Sequence, residues 1–246
     1  MKHILIHGLG QNKSSWKAVD YELKRKGIET TAPNLYSMLD HAEPDYIALF
    51  NKFSDYCNAF EGKLNLCGLS LGGILAIDYA KKFPDKVNAI ILIGTPYKIP
   101  KFLFHLQSVV FHFMPKAAFE KIGCPKKKFI TLVKSMAHLD IAENLEKIHC
   151  RSLILCGVKD NQNMESAKRL HKTIKGSSFS TVSNSSHEVN VDNPKELSNL
   201  IYDFWNVDLY YTNNQGSYSH EGLHTSCIFC VYSDKVLRNR TTLLGI

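Results

Sequence analysis

The sequence predicts an α/β fold, a doubly wound and mostly parallel sheet with helices on both faces and a short helical cap inserted in the middle of the chain. Three observations predict it. Short apolar runs alternate with segments whose apolar residues recur at helical spacing. A length of 246 residues, 44% hydrophobic and 22% charged, suffices for one substantial core. Glycine-bordered turns, His7-Gly8-Leu9-Gly10 and Gly68-Leu69-Ser70-Leu71-Gly72, follow two of the apolar runs.

The first strand-like run, 2–7, holds Ile4-Leu5-Ile6 and ends at His7. Residues 14–26 read as a helix, 28–32 as a strand and 46–60 as a second helix. In the next run, 63–67, Leu64, Leu66 and Gly68 alternate with Asn65 and Cys67; past Leu71, Ile74, Leu75, Ile77 and Ala80 take up helical spacing over 71–82. Strand-like runs at 87–93, 152–156 and 179–182 and helices at 164–174 and 194–205 complete the series. Such alternation means βαβ units and a parallel sheet. The interval 95–148 breaks it, because two helix-like stretches replace one crossover. It is expected to be a lid over the carboxyl ends of the strands, where such sheets bind ligands. The expected domains are a core of 1–95 and 149–207, a helical cap of 96–148, and a C-terminal extension, 208–246, in which no period is readable.

The net charge of +7 is concentrated. Between Lys98 and Lys134 lie eight lysines and one acid, Glu120; the rest of the chain is neutral, with 22 basic and 22 acidic residues. The cysteines are Cys57, Cys67, Cys124, Cys150, Cys156, Cys227 and Cys230, an odd number without disulfide-framework spacing, and read as reduced core thiols. The first apolar run is too short for a signal h-region and lacks a cleavage site, so a cytoplasmic protein is expected. No apolar run reaches membrane-spanning length, and no stable membrane insertion is expected. Nothing interleaves aromatic with basic residues, so nucleic acid is not an expected partner.

A serine between Gly68 and Gly72, after a strand and before a helix, suits a sharp turn that lifts Oγ clear of the sheet. Acyl transfer through serine also needs donors for a developing oxyanion. The backbone N–H groups of Leu9, on the loop after the first strand, and Leu71, just past the serine, are the candidates. His7, at the strand end, reads as a structural residue of that loop. A serine hydroxyl is a poor nucleophile until an imidazole takes its proton, and the imidazole needs a carboxylate to fix its tautomer. Asp160 follows the run 152–156, His187 follows 179–182, and each lies just past a strand. Asp140 lies in the inserted interval, Asp192 suits the cap of the last helix, and Glu188 is too close to His187 along the loop to reach Nδ1.

Through His7-Gly8-Leu9-Gly10, Gly68-Leu69-Ser70-Leu71-Gly72-Gly73, Gly157-Val158-Lys159-Asp160 and Ser186-His187, residues 1–207 resemble the serine α/β-hydrolases. The resemblance implies a sheet beginning at that family's third strand, a helical cap after its sixth, and ester or acyl hydrolysis through an acyl-enzyme with no metal or organic cofactor. Within the family the chain is similar to the small capped carboxylesterases, including those that demethylate an acyl chain on acyl carrier protein. That subgroup usually has tryptophan where this chain has Leu9, and the tail past Asp208 has no counterpart. Ser70 speaks against the dehalogenases, which use aspartate, and the dienelactone-type enzymes, which use cysteine.

The expected activity is therefore a serine esterase or thioesterase acting on a small acyl substrate, with Ser70, His187 and Asp160 as nucleophile, base and orienting acid. An acyltransferase or peptidase would use the same residues, and a non-catalytic ligand-binding homologue would keep the fold. Phe102, Leu103, Leu106, Val109, Val110, Phe113 and Met114 at helical spacing suggest a lid helix lining an acyl pocket. The cap lysines, Lys126-Lys127-Lys128 among them, suit an anionic acyl group or an acidic carrier protein. In the tail, Cys227 to Tyr232 is apolar enough to want burial, while His220, His224, Cys227 and Cys230 are spaced too tightly for a zinc site.

Overall fold

Six strands form one sheet, in the order β2-β1-β3-β4-β5-β6, and every neighbouring pair is parallel. They are β1 (Lys2–Ile6), β2 (Thr30–Thr31), β3 (Leu64–Leu69), β4 (Val87–Ile93), β5 (Arg151–Gly157) and β6 (Ser178–Val182). The computed structural model describes residues 1–98 and 114–213, with side chains as far as Asn206. The helices among them are α1 (Lys17–Arg25), α2 (Tyr46–Asn58), α3 (Leu71–Lys82), α4 (Lys116–Ile122), α5 (Lys126–Met136), α6 (Asn161–Thr173), the single turn α7 (Val189–Asp192) and α8 (Pro194–Asn213). Met1–Asn206 makes one compact unit, and a second begins at Val207.

The chain leaves β1 toward one edge, forms β2, returns to pair β3 with β1, and then builds outward to β6. The reversal between β1 and β3 is a topological switch point, and a crevice opens there at the carboxyl ends. Register keeps those ends level: Ile6 lies opposite Gly68, Leu69 opposite Ile93, and Ile93 opposite Leu155. β3 is buried at all six positions, as expected of a central parallel strand covered on both faces.

Alternation divides the core. Ile4, Ile6, Leu64, Leu66, Ile90, Leu92, Ile154 and Cys156 share one face, packed in a continuous cluster with residues of α2, α3 and α6. Leu5, Cys67, Leu69, Ile91, Ile93 and Leu155, of the opposite parity, are buried as well. Val19 and Leu23 of α1 and Leu197 and Ile201 of α8 are buried outside the first cluster.

Between β4 and β5, α4 and α5 meet at Gly123, whose φ of +74° suits glycine. Phe119 and Phe129 pack edge to face at 5.2 Å, Phe129 faces Tyr36 at 6.2 Å, and the Tyr46 N–H donates to Ser135 Oγ (2.8 Å). Two lysines of the 126–128 triplet are engaged here: Lys126 donates to Met114 O (2.8 Å), and Lys128 lies 3.7 Å from Asp40. The expected lid helix of 102–114 lies outside the described residues except for Met114, as does the tail beyond 213 with its histidine and cysteine pairs.

Several boundaries differ from the sequence reading. The edge strand β2 keeps two residues, because only His3 and Ile4 pair with it. α6 begins at Asn161, since Asp160 caps it. α8 runs on to Asn213, past the expected end near Trp205, through a stretch free of glycine and proline. No helix of the described residues is long and apolar enough to cross a membrane. Cys57, Cys67, Cys124, Cys150 and Cys156 are free thiols, and burial pushes each thiol up.

His7 joins β1 to the segment after β2. It is fully buried; its Nδ1 lies 2.9 Å from Gly8 O, and Leu35 N–H donates to its Nε2 (3.1 Å). This arrangement needs a neutral ring. Burial lowers its pKa from 6.5 to about 4, and the Gly8 carbonyl only partly offsets that. The unfolded chain therefore takes up this proton first as pH falls. The stability His7 contributes is complete above about 6.5 and declines between about 6.5 and 4, by on the order of 3 kcal/mol. Urea unfolding at pH 7 and pH 4.5 tests this: the parent should lose distinctly more stability between the two than His7→Asn, and equal losses would contradict it.

Candidate active site

The loops beyond β1, β3, β4, β5 and β6 converge. Ser70, between β3 and α3, has φ +52° and ψ −110°, a conformation that L residues adopt only when their surroundings impose it. The imposition is visible in its neighbours. A Cβ at Gly68 would stand 2.2 Å from Gly72 O, and one at Gly72 would stand 2.2 Å from Ile6 O. The chain can turn this tightly because both are glycine. Ser70 N–H donates to Ile93 O (2.8 Å), which ties the turn to the end of β4. Ser70 is half-buried, and its side chain caps none of the α3 amides.

Gly73 and Ile74 both donate to Ser70 O, so Leu71 and Gly72 hold the amides that helix geometry leaves unpaired at the start of α3. On the loop after β1, Gly10 N–H donates to Tyr36 Oη (3.0 Å) and Gln11 N–H to Gly8 O (3.2 Å). Leu9 is the residue between these anchors.

Asp160 caps α6 and is buried, while His187 stands half-exposed on the loop after β6. His187 Nδ1–H donates to Asp160 Oδ2 (2.8 Å). Asn163 Nδ2 lies 2.9 and 3.0 Å from the two carboxylate oxygens, and the Asn163 N–H reaches Oδ1 at 3.3 Å. Asn163 Nδ2 is also 3.1 Å from His187 Nδ1, but two donors do not bond, so that approach is packing. Burial, the largest single influence on Asp160, favours its neutral form; the hydrogen bonds from His187 and Asn163 together outweigh it and hold the carboxyl below its ordinary value.

Three features seat the histidine loop. Lys159 N–H donates to Ser185 O (2.8 Å), and Gly157 leaves room for the loop, since a Cβ there would stand 2.1 Å from Ser186 O. Asp192 Oδ2 accepts from both the N–H and the Oγ of Ser186, at 2.7 Å each. The reading of Asp192 as the cap of the last helix is thereby corrected: its carboxylate is engaged on the loop before His187. Gly94, one residue past the carbonyl that holds Ser70, has its Cβ position 3.0 Å from His187 Nδ1 and 3.3 Å from Asp160 Oδ2. The elbow and the Asp160–His187 pair thus border the same turn. The hydrogen bonds of the described residues join His187 to Asp160 and do not extend to Ser70 Oγ. Asn163 escaped the sequence reading, although its place three residues after a helix-capping aspartate was a readable signal.

A family model described as the alpha/beta hydrolase family matches residues 4–200. This chain belongs to that family. An uncharacterised protein of Mycobacterium tuberculosis (strain ATCC 25618 / H37Rv) is 31% identical over 113 residues, 43% of this chain and 33% of that one, so the match spans about a third of that relative's length. A putative 2-succinyl-6-hydroxy-2,4-cyclohexadiene-1-carboxylate synthase of Bacillus subtilis (strain 168) is 21% identical, covering 82% of this chain and 89% of its own. Among solved structures, a carboxylesterase from the thaumarchaeon Nitrososphaera gargenis superposes with a TM-score of 0.74 at 20% identity, over 85% of this chain and 91% of that one. These likenesses concern the fold, and the chemistry has to be argued from the residues.

Removing the Asn163 amide leaves burial less opposed. Asn163→Ala is expected to raise the Asp160 pKa, so that the carboxylate and whatever depends on it are lost at a higher pH on acidification. Following the Asp160 carboxyl carbon by NMR titration in parent and variant decides this; an unmoved or lowered midpoint would show that Asn163 does not hold the charge.

Proposed function

We propose that this chain is a serine hydrolase that cleaves a carboxylic ester or thioester of a small acyl substrate through an acyl-enzyme. The observation that carries the reading is the 2.8 Å pair between His187 Nδ1 and Asp160 Oδ2, beside the turn at whose edge Ser70 is anchored. With Nδ1–H held by Asp160, Nε2 is the lone-pair nitrogen, the tautomer a general base requires.

Ser70 Oγ attacks the acyl carbon as His187 Nε2 takes its proton, and Asp160 stabilises the imidazolium that forms. The Leu71 amide, at the positive end of α3, and the Leu9 amide hold the developing oxyanion. His187 returns its proton to the leaving alcohol or thiol, and water repeats the sequence on the acyl-enzyme. The residues supply the nucleophile, the proton shuttle and the oxyanion donors, so the mechanism draws on no metal or organic cofactor.

Steady-state hydrolysis of a series of nitrophenyl esters of graded chain length provides the test. Ser70→Ala should lose about a thousandfold or more in kcat with its fold intact, and Asp160→Asn, which favours the other imidazole tautomer, should lose a similarly large factor. Hydrolysis that survives Ser70→Ala at near-parental rate would refute the assignment.

A further inference from the structure

The loop after β1 and the loop after β6 are joined by a pair of buried amides 179 residues apart in sequence. Gln11 Nε2 donates to Asn190 Oδ1, and Asn190 Nδ2 donates back to Gln11 Oε1, each at 3.2 Å. Asn190 is fully buried and Gln11 is 6% exposed. Such a pair alone would tolerate both amides flipping together. Ser15 removes that freedom: its carbonyl accepts the other Asn190 N–H (3.1 Å), and its Oγ lies 3.0 Å from Gln11 Oε1. Every polar atom of the Asn190 side chain is thereby matched.

Position gives the pair its meaning. Gln11 closes the turn that carries Leu9, through its own N–H to Gly8 O. Asn190 lies on α7, three residues past His187, and the other side of His187 is fixed by Ser186 on Asp192. Two apolar side chains would fill this space without the desolvation that burying two primary amides incurs, so what the amides add is direction.

We propose that the Gln11–Asn190 pair is a positioning element that sets the oxyanion loop against His187, so that the Leu9 amide and Nε2 address the same acyl carbon. The inference rests on the serine-hydrolase reading. Neither residue touches substrate; both act through the loops they hold. A displacement of about 1 Å in such a constellation costs up to about a hundredfold in rate.

The test uses the full chain, well below each variant's unfolding midpoint. A fluorophosphonate is first shown to label the parent at Ser70; without that labelling the serine reading fails, and this inference with it. Gln11→Leu and Asn190→Leu are then each expected to lower kcat and the labelling rate by about ten- to a hundredfold with KM within about twofold, and the double variant to fall no further than the worse single one. Asn190→Ser, small and polar, replaces the leucine variant if that one does not fold, with the same fall expected. The exchange Gln11→Asn with Asn190→Gln keeps the summed length of the two side chains, allows the amides to pair again, and should restore kcat to within about threefold of the parent. A labelled parent whose variants keep parental kcat and labelling while only their unfolding midpoints drop would overturn the proposal, as would an exchange variant no better than the singles.

Discussion

The site depends on how closely the start of α3 approaches the ends of the strands around it. The helix begins on a residue with φ +52°, and its first turn is closely packed: Gly72 against Ile6 O and, from β3, Gly68 against Gly72 O, both backbone contacts, and Gly73 against the Thr95 side chain. Strain at Ser70, on the order of 1–3 kcal/mol for a residue held in such a region, is tolerable because three glycines let the surrounding sheet over-determine the turn. The register of β1, β3 and β4 follows from the same approach, for the ends must be level if one helix terminus is to meet all three.

The other groups arrive on loops that are tied down by hydrogen bonds. Tyr36 and Gly8 hold the segment around Leu9; Asp192 and the Lys159–Ser185 bond hold the segment before His187. Gly157 and Gly94 clear the space between them. A rigid sheet thus carries an Asp–His pair assembled from residues 27 apart, and the burial that opposes the Asp160 charge also strengthens the hydrogen bonds that sustain it.

What the sequence made legible was what is local. Alternating runs located five of six strands closely, and the elbow at Ser70 was readable because a strand pattern, a Gly-x-Ser-x-Gly core and a helix pattern are contiguous. Asp160 and His187 were readable because each follows a strand. β2 was overestimated, since an edge strand carries the same apolar and β-branched residues whether or not they all pair. The Gln11–Asn190 pair was not read, because a hydrogen bond between distant loops leaves no period in either; Asn163 and the task of Asp192 were not read although both contacts are local, because a single side-chain bond does not show in the spacing of apolar residues. The helix expected over 102–114 falls outside the described residues except for Met114.

One measurement bears most directly on the account. Mixing the protein with excess nitrophenyl ester, quenching with acid during turnover and mass-analysing the digested chain should find the acyl group on the peptide that contains Ser70, and should find none when Ser70 is alanine. Turnover with the acyl group on another residue, or an equal adduct in the alanine variant, would contradict the claim that the elbow at Ser70 is where the chemistry occurs.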